Sequence, residues 1–293
     1  MNKSVPVIAW VILIVLALIW GSSFILMKRG LEVFSAGEVG ALRILAAGLV
    51  LMPISIFKLG GLSARQWRLL FFVGMVGSFL PAFLFATAQT QLESSIAGIL
   101  NALTPLFVML IGAIFFSQQI TKMVALGLAI GFLGTVFLIA AGSGTDLSQL
   151  NLYALFIVVA TICYGANVNL IKFKIHDLKA VSITAISLLI VTPVAAVYLF
   201  GATDFVIKMQ QVEGAKAAFG YVTLLGVMGT ALALILFNQL VKITTPIFTS
   251  SVTYLIPIVA VAWGLLDNEE LLPGHFVGMV AIIIGVYLAN RKR

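Results

Sequence analysis

Apolar residues run along this chain in stretches of about twenty, separated by short polar intervals. A run of that length crosses the hydrocarbon of a bilayer as a helix. Ten such runs are present, over residues 6–28, 35–57, 68–90, 94–116, 122–141, 151–172, 180–200, 218–240, 246–266 and 273–290. The pattern predicts an all-α integral membrane fold with ten transmembrane helices. The first run follows Lys3 as a signal peptide would, but it is longer than a signal core and carries a motif that recurs later. It therefore reads as an uncleaved helix. The connections leave no room for a soluble domain, the longest covering about residues 201–217.

Polar and glycine positions inside these runs recur in order. Trp20 to Lys28 reads W-G-S-S-F-I-L-M-K, and Tyr164 to Lys172 reads Y-G-A-N-V-N-L-I-K, an offset of 144 that sets Gly165 on Gly21, Leu170 on Leu26 and Lys172 on Lys28. At an offset of 152, Gly74 and Gly77 fall on Gly226 and Gly229, Phe85 on Phe237, Pro105 on Pro257 and Gly112 on Gly264. At 151, Gly127 and Gly134 fall on Gly278 and Gly285. Self-similarity of this kind marks two diverged copies of one unit, here residues 1–143 and 144–293. Five spans per copy is an odd number, so the second copy enters the bilayer from the opposite face. The halves then form an inverted-topology repeat about a pseudo-two-fold axis in the membrane plane, an arrangement that points to transport.

Composition agrees with a bilayer as solvent. The chain is 62% hydrophobic and 9% charged, with a mean hydropathy of +1.18, whereas soluble domains are roughly 45–50% apolar and about 25% charged. A sequence pI near 9.6 does not signal nucleic acid, because the basic residues alternate with the spans rather than clustering. With both termini cytoplasmic, the cytoplasmic segments hold 12 of the 17 Lys and Arg residues and the outer segments 4, while 9 of the 10 acids lie outside. The positive-inside rule therefore places both ends in the cytoplasm. The single cysteine, Cys163, excludes an internal disulfide and argues against a thiolate metal site.

The chain also carries a set of short motifs, W-G-S-S-F in the first helix, Arg43 followed by Ala46 and Ala47 in the second, and T-P-L-F in the fourth. The closing helices are glycine-spaced, L-G-L-A-I-G-F-L-G and V-G-M-V-A-I-I-I-G. In this order over essentially the whole chain, the motifs resemble the EamA family of the drug/metabolite transporter superfamily. The resemblance implies a bacterial inner-membrane exporter of small metabolites, often amino acids, without naming the substrate.

Candidate cavity residues are polar or aromatic positions inside the spans that recur in both copies. Gly98, Asn101 and Pro105 share one face of the fourth helix, and Ser250, Thr253 and Pro257 share one face of the ninth. A proline frees a backbone carbonyl, which in lipid needs protein or cavity water to satisfy it. These stripes are expected to line a central cavity and the prolines to kink their helices; interhelical hydrogen bonding is the plainer alternative. Trp20 and Ser23 match Tyr164 and Asn167, as a cavity wall or gate or as core packing, and Tyr254 is a weaker candidate about 100° round from Thr253. The glycines of the fifth and tenth helices read as packing elements away from the substrate path.

Arg43 is a full charge well inside the second span. A central arginine costs about 2.5–3.5 kcal/mol on insertion scales, so it needs a partner or a wet cavity. It is either a carboxylate-binding cation or a snorkelling side chain paired with Glu38 or Glu93. The second reading carries slightly more weight, since the matching position is Ser187 and the charge exists in one copy only. Lys28 and Lys172, at span ends, read as interfacial anchors. No clear intramembrane proton site is present, Glu38 and Glu93 being the nearest candidates.

The sequence thus predicts a carrier with the lipid bilayer and a small-molecule substrate as partners, and with no cofactor, metal or nucleic acid; oligomeric state is left open. An integral-membrane enzyme or a non-transporting scaffold or sensor is the alternative. The absence of H-E-x-x-H, of paired intramembrane aspartates and of a phosphate loop disfavours the enzyme.

Overall fold

The structure, a computed structural model, describes residues 6–118, 121–141, 151–175, 177–244, 249 and 252–290. Seven helices are long and apolar enough to cross a membrane: α1 (Val7–Leu31), α2 (Ala36–Ile56), α3 (Ala64–Ala88), α4 (Ser94–Phe116), α6 (Ala154–Lys174), α7 (Ala180–Gly201) and α8 (Ala215–Ile243). Three further apolar helices are shorter in their described parts: α5 (Lys122–Leu138), α9 (Val252–Leu266) and α10 (Pro273–Gly285). A short helix, Phe205–Gln211, sits in the connection between α7 and α8. The protein is an all-helical, multi-pass membrane protein, and the exposed faces of its helices are studded with large apolar side chains such as Trp10, Phe132 and Val197, as a lipid-facing surface requires.

Helix starts follow local chemistry. Ser35 caps α2, its hydroxyl accepting from the Glu38 N–H while the Glu38 carboxylate accepts from the Ser35 N–H, and Ser63 and Gln66 repeat this arrangement at α3. Such reciprocal capping satisfies two otherwise orphaned donors. The principal buried cluster draws on both halves, with Phe24, Met27 and Leu100 packed together with Val222, Leu225 and Ile256.

Two helices are irregular at matching places. Within α3, Met75–Phe79 is π-helical, and within α8 so is Leu225–Leu232. Adding 152 to the first segment lands it inside the second. α4 is interrupted at residues 102–103, so that its second segment, Thr104–Phe116, begins with Pro105 in the first turn. Pro105 cannot donate to the Asn101 carbonyl; the Thr104 hydroxyl donates to it instead, at 2.8 Å. The other proline expected to kink its helix, Pro257, lies within continuous α9.

α5 and α10 pack on each other through glycine. A Cβ at Gly285 would stand 2.4 Å from the Gly131 nitrogen, and one at Gly134 2.8 Å from the Ala281 Cβ, so the backbones are in contact. The remaining helices cross between the halves. Gly21 of α1 meets Val259 of α9, where a Cβ would lie 2.4 Å from its Cβ, and Gly165 of α6 meets Phe107 of α4, at 2.8 Å from its carbonyl carbon.

Candidate functional site

The crossing helices enclose a chamber with about 100 Å³ of space open to water, several times the ~10–15 Å³ that one water molecule needs. α1, α2, α3, α4, α6, α8 and α9 contribute to its wall; α5 and α10 do not. Trp20, Ser23, Arg43, Asn101, Tyr164, Asn167 and Thr253, all singled out from the sequence, line it.

Two candidates are placed elsewhere. Gly98 is a contact glycine: a Cβ there would come within 2.3 Å of the Ala260 Cβ and 3.3 Å of the Phe24 ring, so it lets α9 approach α4. Tyr254 is half-buried against the main apolar cluster and is not part of the chamber wall. Ser250 lies outside the described residues.

The wall is built twice over. The Trp20 ring meets Phe237 with centroids 5.2 Å apart, and Tyr164 meets Phe85 at 6.0 Å. A Cβ at Gly229 would lie 2.6 Å from the Ser23 hydroxyl oxygen, and one at Gly77 2.8 Å from the Asn167 amide. Next to these glycines stand Thr230 and Ser78, again matched at 152 and again in the wall. The π-helical segments displace backbone carbonyls from the regular helical ladder. The indole N–H of Trp20 donates to one of them, Gly229, at 3.0 Å.

Arg43 does not snorkel. It is 8% exposed, its Nε donates to the Thr230 hydroxyl at 2.7 Å, and Tyr164 lines the chamber near its guanidinium. The acids expected to neutralise it are engaged elsewhere: Glu38 pairs with Lys208 at 2.6 Å and Glu93 with Lys28 at 3.2 Å. The reason is reach. α2 faces Arg43 into the chamber wall a full turn and more below Glu38, and the Thr230 hydroxyl of α8 holds it there.

Lys28, one residue beyond Met27 of the chamber wall, is more than an interfacial anchor. Its ammonium contacts Glu93, Asp267 at 2.8 Å and Glu269 at 2.9 Å, and the neighbouring Arg29 pairs with Asp267 as well as Glu32. Glu269 is fully buried and caps the start of α4, accepting from the N–H and hydroxyl groups of both Ser94 and Ser95. Burial alone would raise its carboxyl, but the serine donors and Lys28 bring it down to about 2 from 4.5. The cluster thus ties α1, the α3–α4 connection and the α9–α10 connection together at one end of the chamber. At the matched position, Lys172 lies over the Phe173 ring, 4.7 Å from its centroid, and has no ion pair among the described residues.

The chamber sits among crossing membrane helices and sets a few hydroxyl, amide and guanidinium groups in a largely apolar and aromatic wall, the composition of a small-molecule site. The chain is a member of the EamA-like transporter family, whose pattern it matches twice, over residues 7–140 and 151–291. It is 26% identical over 289 residues to YedA, an uncharacterised inner membrane transporter of Escherichia coli K12, covering 95% of this chain and 89% of that one. It is 22% identical to an uncharacterised transporter of Archaeoglobus fulgidus, over 97% and 99% of the two chains. With a Chlamydia muridarum protein named as an S-adenosylmethionine/S-adenosylhomocysteine transporter it shares 24% identity over 93% of this chain and 88% of that one. A solved crystal structure 15% identical in sequence superposes with a TM-score of 0.64 over 96% of both chains, which extends the likeness to the fold.

Proposed function

We propose that this is a ten-helix carrier of the bacterial inner membrane whose residues 1–143 and 144–293 are inverted five-helix repeats. It exports small organic metabolites, amino acids or related amphipathic solutes, by alternating access through the chamber between the repeats. The observation that carries this reading is the reciprocity of the chamber contacts. Ser23 against Gly229 answers Asn167 against Gly77, and Trp20 on Phe237 answers Tyr164 on Phe85. Gly226 lies against the Arg43 carbonyl, where a Cβ would come to 2.6 Å, and Gly74 against the Ser187 carbonyl, at 2.5 Å.

Every pair maps onto another when the halves are exchanged, as a two-fold axis through the chamber requires. With five spans per half, that axis lies in the membrane plane, and exchange of the two conformations opens the same chamber first to one side and then to the other. The Lys28 cluster is then the outer gate, and both termini face the cytoplasm on the distribution of Lys and Arg. The polar groups of the wall suit hydrogen bonding and its rings suit an apolar moiety, and the chlamydial relative, named as a transporter of S-adenosylmethionine and S-adenosylhomocysteine, supports that range of cargo.

Counter-flow exchange in proteoliposomes, with a panel of amino acids, tests the reading. Exchange of at least one solute is expected, and a panel without exchange overturns it. Mapping tags at residues 1 and 293 tests the topology independently; tags on opposite faces would remove the inverted repeat.

A further inference from the structure

We infer that Arg43 is the receptor for a carboxylate, so that the cargo of the chamber is an organic monocarboxylate bearing an N–H or O–H donor and an apolar body. The inference rests on the transporter reading and narrows its substrate class. Three observations lead to it.

The first is a charge without a counter-charge. Arg43 lines the chamber and is buried, yet among the described residues no carboxylate pairs with it: Glu38 is held by Lys208, and Glu93, Asp267 and Glu269 by Lys28. Its neighbours are hydroxyls, Thr230 and Tyr164. They orient a guanidinium without neutralising it. Thr230 takes the Nε–H, and among the described residues no hydrogen bond is made by the terminal nitrogens, whose planar array of N–H groups suits bidentate capture of a carboxylate. One guanidinium matches one negative charge.

The second is an acceptor without a donor. Asn167, 6% exposed, lines the same chamber, and its Oδ1 is buried with no hydrogen-bond partner. Buried acceptors are nearly always paired. The atom itself has almost no exposed surface, so the amide turns into the chamber to take a donor from the cargo. The third is the surround: Trp20, Phe237, Tyr164 and Phe85 supply aromatic faces for an apolar body.

A purely structural Arg43, pinning α2 to α6 and α8, predicts no preference between charged and neutral solutes, and this separates the two readings. The test measures binding of N-acetyl-L-leucine and N-acetyl-L-leucinamide to the purified full chain. The two keep the same donor and side chain and differ only in the carboxylate. The acid should bind at least about tenfold more tightly, since a hydrogen bond to a charged group exceeds the increment that a factor of ten needs. Arg43→Gln should bring that ratio close to one, and Arg43→Lys should keep part of it.

Should Arg43→Gln not fold, Thr230→Cys supplies the second measurement: the acid, and not the amide, should protect the new cysteine from a water-soluble thiol reagent. Equal binding of acid and amide, binding of neither, or a ratio unchanged in Arg43→Gln overturns the inference. Transport of acid and amide alike would also overturn it while leaving the carrier standing. Acid-selective binding at Arg43 without counter-flow would do the reverse.

Discussion

Gly229 makes room for Ser23: a Cβ at that glycine would stand 2.6 Å from the serine hydroxyl oxygen, closer than packed side chains approach. Gly77 does the same for the Asn167 amide, at 2.8 Å. In each case a glycine in the π-helical part of one half faces a polar residue of the first helix in the other half. These are the points where the halves touch across the chamber, and they have no slack for even one methyl group.

Gly229→Ala and Gly77→Ala are therefore expected to overpack the seam, each destabilising the protein by about 1–3 kcal/mol. Thermal unfolding in detergent reads the change. Because the tightest contact is with Ser23, with the Leu225 Cδ1 next at 3.1 Å, Ser23→Gly in the Gly229→Ala background should recover most of the loss, and the double-mutant cycle should give a coupling of about 0.5–3 kcal/mol. Strict additivity of the two substitutions would place the strain somewhere other than this contact.

The Lys28 cluster joins three segments through one ammonium, and Glu269 meets it without solvent exposure of its own side chain. Lys28→Met leaves the Glu269 carboxylate buried and unpaired with a cation, a situation that costs several kcal/mol for a fully buried group. The expected result is opening of this end of the chamber. A cysteine at residue 27, unreactive in the parent, should then react with an impermeant thiol reagent added from the outside. No change in its reactivity would mean that packing, rather than the ion pairs, closes the gate.

The same cluster makes a statement about pH. The Glu269 carboxyl is brought down to about 2 from 4.5. A depressed carboxylate adds stability that is complete above the unfolded-state value and is lost as pH falls through the folded one. Closure should thus be constant between pH 5 and 8 and weaken only below about 4.5, as the window from 4.5 down to 2 is entered. Reactivity of the residue-27 cysteine against pH checks this. A step between pH 5 and 8 would show another titrating group controlling the gate and would reopen proton coupling.

Several polar and aromatic residues of the chamber wall, Trp20, Ser23, Asn101, Tyr164, Asn167 and Thr253, were legible in the sequence for a physical reason. In a span whose other positions are apolar, a polar residue such as Asn101 or Thr253 has to find protein or water, and recurrence in the second copy marks the shared wall. Thr230 and Ser78 were not legible, although they too are polar and matched. They lie in the π-helical segments, where the wider turn breaks the 100° arithmetic by which faces are assigned. Gly98 misled for the opposite reason, since a glycine one turn before Asn101 can as well admit a neighbouring helix as face a cavity. The partners of Glu269 are out of reach of any local pattern, because Ser94 and Lys28 lie 175 and 241 residues away in the chain. Arg43 could be read as a buried charge, but whether acids or hydroxyls would meet it depends on which helices cross, and that belongs to the packing.

Cysteine accessibility separates the wall of the chamber from the packing behind it. Cys163, half-buried, is first replaced by alanine so that each added thiol is the one reporter. Cysteines at 101 and 253 stand in the chamber wall and should react with a small polar thiol reagent, and a transported solute should slow both. Cysteines at 98 and 254 are the contrast. A Cβ at residue 98 would stand 2.3 Å from the Ala260 Cβ, so a cysteine there is wedged between α4 and α9, and residue 254 packs on the apolar cluster; neither should be modified at a comparable rate while the protein is folded. A thiol at a water-filled wall is both solvated and ionisable, whereas a buried one has its thiolate disfavoured by desolvation and is inert. Inert cysteines at both 101 and 253 would remove the chamber from the transport path. Reaction at all four positions without protection would mean that the reagent reports loose packing, and the wall would have to be redrawn from the protected positions outward.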